Sequence, residues 1–247
     1  MLLLIDAGNT RIKWALVDEA MAGAPWLVTG SVAHAQFDQL EQDWRGLGFA
    51  QALIANVAGA ALAERLRSAL PATVTIDWFA SSASRAGVRN RYREPTQLGC
   101  DRFASAIGAH ALLPDTALII ATCGTATTVD ALSADGQFLG GMILPGLGLM
   151  ASSLAQNTAQ LPQVAQGLRI DQPFADHTDA AIASGCLAAQ AGAIERAFAA
   201  HGRQGPARCI LSGGAAPLIA PHLSIEHRVI ENLVLVGLHT VATSSSC

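Results

Sequence analysis

Asp6, Gly8, Asn9, Thr10 and Lys13 bring a carboxylate, a glycine, an amide, a hydroxyl and the only lysine of the chain into one short stretch. Such a set suits a metal-bound phosphate: the carboxylate serves the cation, and glycine lets backbone N–H groups approach the phosphate oxygens. The same residues also make an ordinary Asp-Ala-Gly-Asn hairpin, and on this stretch alone both readings stand. Two more strand-turn units carry related chemistry, Thr122-Cys123-Gly124-Thr125 and Leu211-Ser212-Gly213-Gly214. None matches G-x-x-x-x-G-K-[ST] or G-x-G-x-x-G, which disfavours the two commonest nucleotide folds. Two such turns at corresponding points of two halves, with a third near the end, point to a nucleotide cleft between domains.

Phosphoryl transfer needs a carboxylate for Mg²⁺, donors on the phosphates and a base near the acceptor hydroxyl. Asp6 is the natural magnesium candidate, Asp101 the candidate base and Asp130 a spare. From spacing alone, Asp101 reads as the acidic residue that a helix N-terminus favours by roughly 0.3–1 kcal/mol. Arg102 likewise reads as a solvated surface arginine, and Tyr92, the only tyrosine, as a loop aromatic. The 7 histidines show no metal-ligand spacing, and His222 and His227 read as surface residues. The 5 cysteines, Cys100, Cys123, Cys186, Cys209 and Cys247, are odd in number and lack a C-x-x-C pair, so they form neither a disulfide framework nor a zinc site.

The elements that must hold these residues follow from periodicity. Leu2–Ile5 is a continuous apolar run, a strand buried on both faces, and Ile12, Trp14 and Leu16 alternate with Arg11, Lys13 and Ala15 in a returning strand. After a turn at Asp18–Pro25 come a strand at Trp26–Val32, a helix at Ala35–Trp44, a strand at Ala52–Val57, a helix at Ala60–Leu70 stopped by Pro71, and a strand at Val74–Ala80. Ser81–Gln97 reads as a polar segment, and Leu98–Leu113 as a helix whose apolar face holds Leu98, Phe103, Ile107, Ala111 and Leu112. The opening pattern then returns: a strand at Ala117–Ala121, the Gly124 turn, a strand at Val129–Leu132, and Phe138–Leu144 leading to Pro145-Gly146. Setting Gly124 on Gly8 gives an internal duplication of topology with little residue identity. Gly146–Leu154 opens a helix and Gln156–Phe174 is mostly loop. Thr178–Ala200 is a long helix with Ile182, Cys186, Ala189, Ala193 and Phe198 inward. Strands at Cys209–Leu211 and Arg228–Ile230, a helix starting at Ala215–Ala220, a terminal helix at Asn232–Ala242 and a frayed tail at Thr243–Cys247 complete an α/β chain with mixed sheets. The domain boundary falls near Leu113–Thr116.

The composition agrees, with 51% hydrophobic and 14% charged residues. A net charge of −4, with no run of four or more cationic residues, speaks against nucleic acid or an anionic membrane as partner. The N-terminus lacks the features of a signal peptide, and the longest apolar run is too short to span a bilayer, so a cytoplasmic protein is expected.

Together these blocks resemble the type III pantothenate kinases of the acetate and sugar kinase/Hsp70/actin superfamily. The match is carried by D-x-G-N-T-x-x-K at Asp6–Lys13, Tyr92-x-x-Pro95-x-x-Leu98-Gly99-x-Asp101-Arg102, and Gly124-Thr125-Ala126-x-Thr128-x-Asp130. It continues in Gly140-Gly141-x-Ile143-x-Pro145-Gly146, Ser184-Gly185, Gly192-Ala193-Ile194-Glu195-Arg196, Gly213-Gly214-Ala215 and Glu231-Asn232-Leu233-Val234. The Tyr/Pro/Leu-Gly-x-Asp-Arg block is the specific one, since the others recur in related kinases.

The resemblance implies two ribonuclease H-like (actin-like ATPase) domains, residues 1–115 and 116–247, with ATP in the cleft and a homodimeric assembly. It implies that pantothenate is phosphorylated to 4'-phosphopantothenate in the first step of coenzyme A biosynthesis. It assigns Asp6, Ala7, Gly8, Asn9, Thr10, Arg11, Ile12, Lys13 and Thr125 to ATP, with Asp6 also on the Mg²⁺ that accompanies it. Asp101 becomes the general base, and Tyr92, Gly99, Cys100, Asp101, Arg102 and Thr178 line the pantothenate pocket. Where many family members carry an acidic residue for a monovalent cation, this chain has Thr122, whose hydroxyl ligates K⁺ or NH₄⁺ without charge and leaves that dependence open. The rival readings are a kinase for another small hydroxy substrate and a non-catalytic regulatory factor of the same fold. The intact Asp6 and Asp101 favour catalysis.

Overall fold

The computed structural model describes residues 1–18, 26–164 and 172–244. In chain order its regular elements are strands β1 (Leu2–Ala7), β2 (Arg11–Val17) and β3 (Val28–Ala33), helix α1 (Gln39–Trp44), β4 (Gln51–Asn56), α2 (Ala60–Ala69), β5 (Thr75–Phe79), β6 (Ser84–Arg85), β7 (Val88–Asn90) and α3 (Cys100–Leu112). There follow β8 (Ala117–Cys123), β9 (Ala126–Leu132), β10 (Gln137–Pro145), α4 (Leu147–Asn157), α5 (Thr178–His201), β11 (Ala207–Ser212), α6 (Ala216–Ile219), β12 (His227–Val229) and α7 (Leu233–Thr243). They form two compact units. The first holds Met1–Asp115, Gly136–Phe138 and Asn232–Cys247, the second Thr116–Asp135 and Leu139–Glu231.

The sheet of the first unit has the order β3-β2-β1-β4-β5. Strand β2 runs antiparallel to β1 and β3, while β1, β4 and β5 are parallel. Alternation along β1 decides what each face meets. Leu3, Ile5 and Ala7 join Ile12, Trp14, Leu62, Leu66 and Trp44 in one apolar cluster, which puts α1 and α2 on that face. Helices α3 and α7 pack on each other and on β1 and β4, with α3 buried from Arg102 to Ala109. Because it is sandwiched between the sheet and α7, α3 is covered on nearly every side over those residues, whereas its last turn projects and leaves Ala111 and Leu112 exposed instead of inward.

In the second unit, β10-β9-β8-β11-β12 repeats the order of the first sheet. The β8–β9 pair is antiparallel, and β11 is parallel to both β8 and β12, as β4 is to β1 and β5. This 3-2-1-4-5 order with a reversed second strand is the ribonuclease H-like arrangement, present twice. The correspondence extends to the turns. Val57 N–H donates to the Ala7 carbonyl at 3.1 Å, and Ala215 N–H donates to the Cys123 carbonyl at 3.0 Å, each time at the end of a unit's first strand. Strand β10 begins within the first unit, where Gln137 and Phe138 pair with Arg89 and Asn90 of β7.

Several local expectations change. Ser81–Gln97 contains the β6–β7 hairpin, whose chain reversal uses Gly87 at φ +83°. The Ala35–Trp44 helix splits into a 3₁₀ turn, His34–Gln36, and the shorter α1. In α5, Ala189 is exposed and Gln190 is buried, because over 24 residues a helix of 3.6-residue period carries its inward stripe around the axis. Of the turn expected at Asp18–Pro25, the loop at Gln156–Phe174 and the tail at Thr243–Cys247, residues 19–25, 165–171 and 245–247 lie outside the described residues. Among the described residues, no helix is long and apolar enough to cross a membrane.

Candidate active site

Period 2 along β1 turns Asp6 to the same face as Leu2 and Leu4, away from the Leu3–Ile5–Ala7 cluster and toward the side on which α3 lies. Lys13 is directly opposite Asp6 in the β1–β2 register and shares that face. The connecting turn closes through Gly8 N–H to the Arg11 carbonyl at 3.1 Å. His34 ties it down, its Nε2 donating to the Gly8 carbonyl at 2.9 Å and its backbone N–H to Thr10 O at 3.4 Å. Asn9, Thr10 and Arg11 are exposed, and the Arg11 guanidinium donates to the Ser31 hydroxyl at 2.9 Å and the Ser31 carbonyl at 3.1 Å. Ala7 and Ile12 are fully buried, so their side chains are core and only their backbone can meet a ligand.

The Tyr92–Arg102 block is built around a buried asparagine that sequence reasoning missed. Asn90 Oδ1 accepts from Tyr92 N–H at 3.0 Å, and Asn90 Nδ2 donates to the Pro95 carbonyl at 3.0 Å, stapling both ends of the loop that carries Tyr92. An Asn two residues before the singled-out Tyr is the signature of an Asx turn, which was the available signal. The Tyr92 hydroxyl accepts from Arg102 Nη1 at 2.8 Å. Phe138 completes the group, with its ring 5.8 Å from that of Tyr92 and the Arg102 guanidinium carbon 5.7 Å from each ring. Arg102 is therefore buried, not a solvated surface residue; its charge is accommodated by the two aromatic faces and the Tyr92 oxygen. Nothing in the sequence links Phe138 to Tyr92, since β10 reaches β7 only through tertiary pairing.

Asp101 sits in the first turn of α3, where Arg102 N–H donates to its Oδ1 at 2.8 Å. Gly99 makes room for this fold-back: a Cβ there would lie 2.7 Å from the same oxygen. Burial pushes the Asp101 carboxyl above its ordinary range, against the lowering effect of the Arg102 N–H and guanidinium. Burial raises Asp6 more strongly, to about 7; Lys13 opposes the rise and the charge of Asp101 adds to it. Asp6, Lys13 and Asp101 thus share one electrostatic neighbourhood, and both carboxylates keep partial solvent access. Cys100, whose thiol donates to the Asn56 carbonyl at 3.6 Å, is pushed up to about 11 chiefly by burial and then by Asp101, so it stays a thiol.

The remaining candidates belong to the second unit. Gly124 N–H donates to Ala126 O at 3.0 Å and closes a turn on which Thr125 is exposed. Thr178 is the exposed first residue of α5. Asp130 is buried within β9. Thr122 faces Thr128 across the β8–β9 pair, and neither hydroxyl has a hydrogen-bond partner among the described residues. Among the described residues, no group of three or more His, Cys, Asp and Glu could hold a metal ion by itself.

Comparison with known proteins gives this geometry its context. A type III pantothenate kinase of Janthinobacterium sp. (strain Marseille) is 63% identical over 257 aligned residues, covering 100% of this chain and 99% of the relative. Another type III pantothenate kinase, from Herminiimonas arsenicoxydans, is 60% identical over 251 residues, covering 98% of this chain and 97% of that one. At the level of fold, the ethanolamine utilization protein EutJ from Carboxydothermus hydrogenoformans superposes with a TM-score of 0.57 at 14% identity, over 98% of this chain and 88% of that chain. The activator of the 2-hydroxyisocaproyl-CoA dehydratase from Clostridium difficile, solved with bound ADPNP, superposes at 0.51 with 13% identity, over 98% and 92%. The type III pantothenate kinase family pattern itself matches residues 2–200, and on that match and the full-length identity the chain belongs to the type III pantothenate kinases.

Proposed function

We propose that this chain transfers the γ-phosphoryl group of ATP to the primary hydroxyl of pantothenate, giving 4'-phosphopantothenate and ADP, the first step toward coenzyme A. The observation that carries the reading is Asp101, a carboxylate with a raised pKa, set beside the aromatic-clamped Arg102 and in electrostatic contact with Asp6. A base whose pKa is lifted toward the working pH accepts a proton most effectively. Asp101 takes the hydroxyl proton as the oxygen attacks in line, while Arg102 and Tyr92 hold the acceptor, with Gly99 and Cys100 beside it; the family resemblance adds Thr178 of the second unit to the acceptor-binding residues. Backbone and side-chain donors of the turn from Asp6 to Lys13 position the phosphates. The family resemblance also assigns Thr125 of the second unit to ATP.

The donor set fits a magnesium ion that arrives with ATP. Magnesium is commonly held by one or two carboxylates, substrate phosphates and water, and burial leaves the Asp6 carboxyl at about 7, in want of a cation. When bound, the ion offsets negative charge on the transferring group. The Thr122 and Thr128 hydroxyls are a neutral set for K⁺ or NH₄⁺, and turnover with and without these ions measures any dependence.

We read the chain as two ribonuclease H-like domains dividing at residues 115 and 116, with the terminal helix packed back on the first unit. A cytoplasmic homodimer is part of the same reading. Support for self-association comes from the second unit, where Leu139, Met142 and Ile143 of β10 and Leu149 and Leu154 of α4 are exposed, and α4 buries no residue at all. Light scattering on the purified chain reads the oligomeric state.

The deciding assay follows ADP release and the phosphorylated product with ATP and a panel of acceptors. Release that requires pantothenate supports the assignment; release only with a sugar, or none with any acceptor, overturns it. Asn90→Ala removes both staples of the Tyr92 loop, each worth about 1 kcal/mol. The pantothenate KM is expected to rise roughly tenfold with little change in the KM for ATP. Equal rises in both would contradict the staple's placement on the acceptor side.

A further inference from the structure

Gln190 lies in the middle of α5, 65 positions after Thr125 in the sequence, and is 0% exposed. Its Nε2 donates to the Pro145 carbonyl at 2.6 Å and contacts Met150 Sδ at 3.7 Å, while its Oε1 is buried without a partner among the described residues. The acceptor carbonyl of Pro145 fixes which way the amide faces. The residue after Pro145 reaches the phosphate turn: Gly146 N–H donates to the Thr125 carbonyl at 2.9 Å. The approach is so close that a Cβ on Gly146 would lie 2.1 Å from the Gly124 carbonyl and 2.6 Å from that of Thr125. A buried side-chain amide, a fixed carbonyl, a glycine without clearance and the exposed turn form one continuous chain of contacts inside the second unit.

We infer that Gln190 is a positioning residue for ATP, holding Pro145-Gly146 so that the Gly124–Thr125 turn keeps the shape in which it meets phosphate. The inference rests on the reading of that turn as an ATP contact. A buried amide with one oxygen unsatisfied is a poor stabiliser, since the unmade bond costs about as much as the made one gains. Its place at the end of this contact chain is accounted for by geometry, not by stability.

The side chain can be replaced without emptying its space. Gln190→Met keeps the length and removes both the donor and the orphaned acceptor, so the melting temperature is expected to stay within about 2 °C. The KM for ATP, and the Kd for a non-hydrolysable ATP analogue with Mg²⁺ measured calorimetrically, are expected to rise about fivefold. The pantothenate KM should move less than about twofold. Gln190→Glu is the rescue: a carboxyl so deeply buried stays protonated near neutral pH and keeps an O–H donor toward Pro145. Relative to the parent at each pH, its ATP affinity is expected to be retained at pH about 6.5 and lost at pH about 9. An unchanged ATP affinity in Gln190→Met, equal rises in both KM values, or no pH dependence in Gln190→Glu overturns the inference. Analogue binding needs no acceptor, so a parent chain that binds ATP without phosphorylating pantothenate would sink the proposed activity and leave this test intact.

Discussion

Asp101→Asn is expected to lower kcat by about 10²–10⁴-fold, the range that general-base assistance supplies, while pantothenate still binds. The amide is nearly isosteric and keeps an oxygen for the Arg102 N–H that now bonds Asp101 Oδ1 at 2.8 Å. What disappears is the proton acceptor. Calorimetric binding of pantothenate and single-turnover kinetics separate the two effects; turnover near the parent rate would remove Asp101 from the chemistry. Stability gives a second, independent readout. The Asp101 carboxyl is raised above its ordinary value, chiefly by burial, so the folded state holds its proton more tightly than the unfolded chain. Its ionisation therefore lowers stability as pH rises from about 4 through the raised pKa, and the penalty is absent below about 4. Melting curves at acid and neutral pH should show Asp101→Asn gaining on the parent as pH increases.

Gly237→Ala is expected to destabilise the first unit by about 3 kcal/mol or more, a fall of roughly 6–12 °C in melting temperature. Helices α3 and α7 cross at glycine on both sides. A Cβ on Gly237 would lie 1.8 Å from the Ala104 carbonyl oxygen, and one on Gly108 would lie 2.7 Å from the Leu233 oxygen and 2.8 Å from Gly237 N. The obstacles are backbone atoms, which a rotamer change cannot move aside. The gain in helix propensity, about 1 kcal/mol, is too small to compensate. Because the first turn of α3 carries Asp101 and Arg102, kcat should fall with stability. Gly192→Ala is the matched control: in α5 its Cβ would meet nothing within 4 Å, and only the propensity gain should appear. A Gly237→Ala protein as stable as the parent would mean that the helices separate at no cost.

Much of the fold was legible because strands and long amphipathic helices write their period into the chain. Leu2–Ile5, the alternation from Arg11 to Leu16 and the stop at Pro71 each correspond to an element near the expected place. The β6–β7 hairpin was not legible. It has two strands of 2 and 3 residues, too short for any period to register. The duplicated topology was suggested by one aligned glycine, and it is the repeated strand order that makes it plain.

For the site, residue types alone determined the cast: a carboxylate and lysine flanking a glycine turn, an aspartate opening a helix, a tyrosine and arginine in a spaced block. The alternation of β1 further fixes that Asp6 and Ala7 point to opposite faces. Tertiary structure decided their surroundings. Arg102 reads as a surface residue until Tyr92 and Phe138, 46 positions apart, close over it. Asp101 reads as a helix-end charge until burial raises its pKa beside Asp6. Gln190 reads as one more polar residue of a long helix until Pro145 is seen to accept its hydrogen bond. The physical reason is common to all three. Sequence encodes what a residue can donate, accept or bury, but desolvation and partner geometry come from chain segments brought together only by folding.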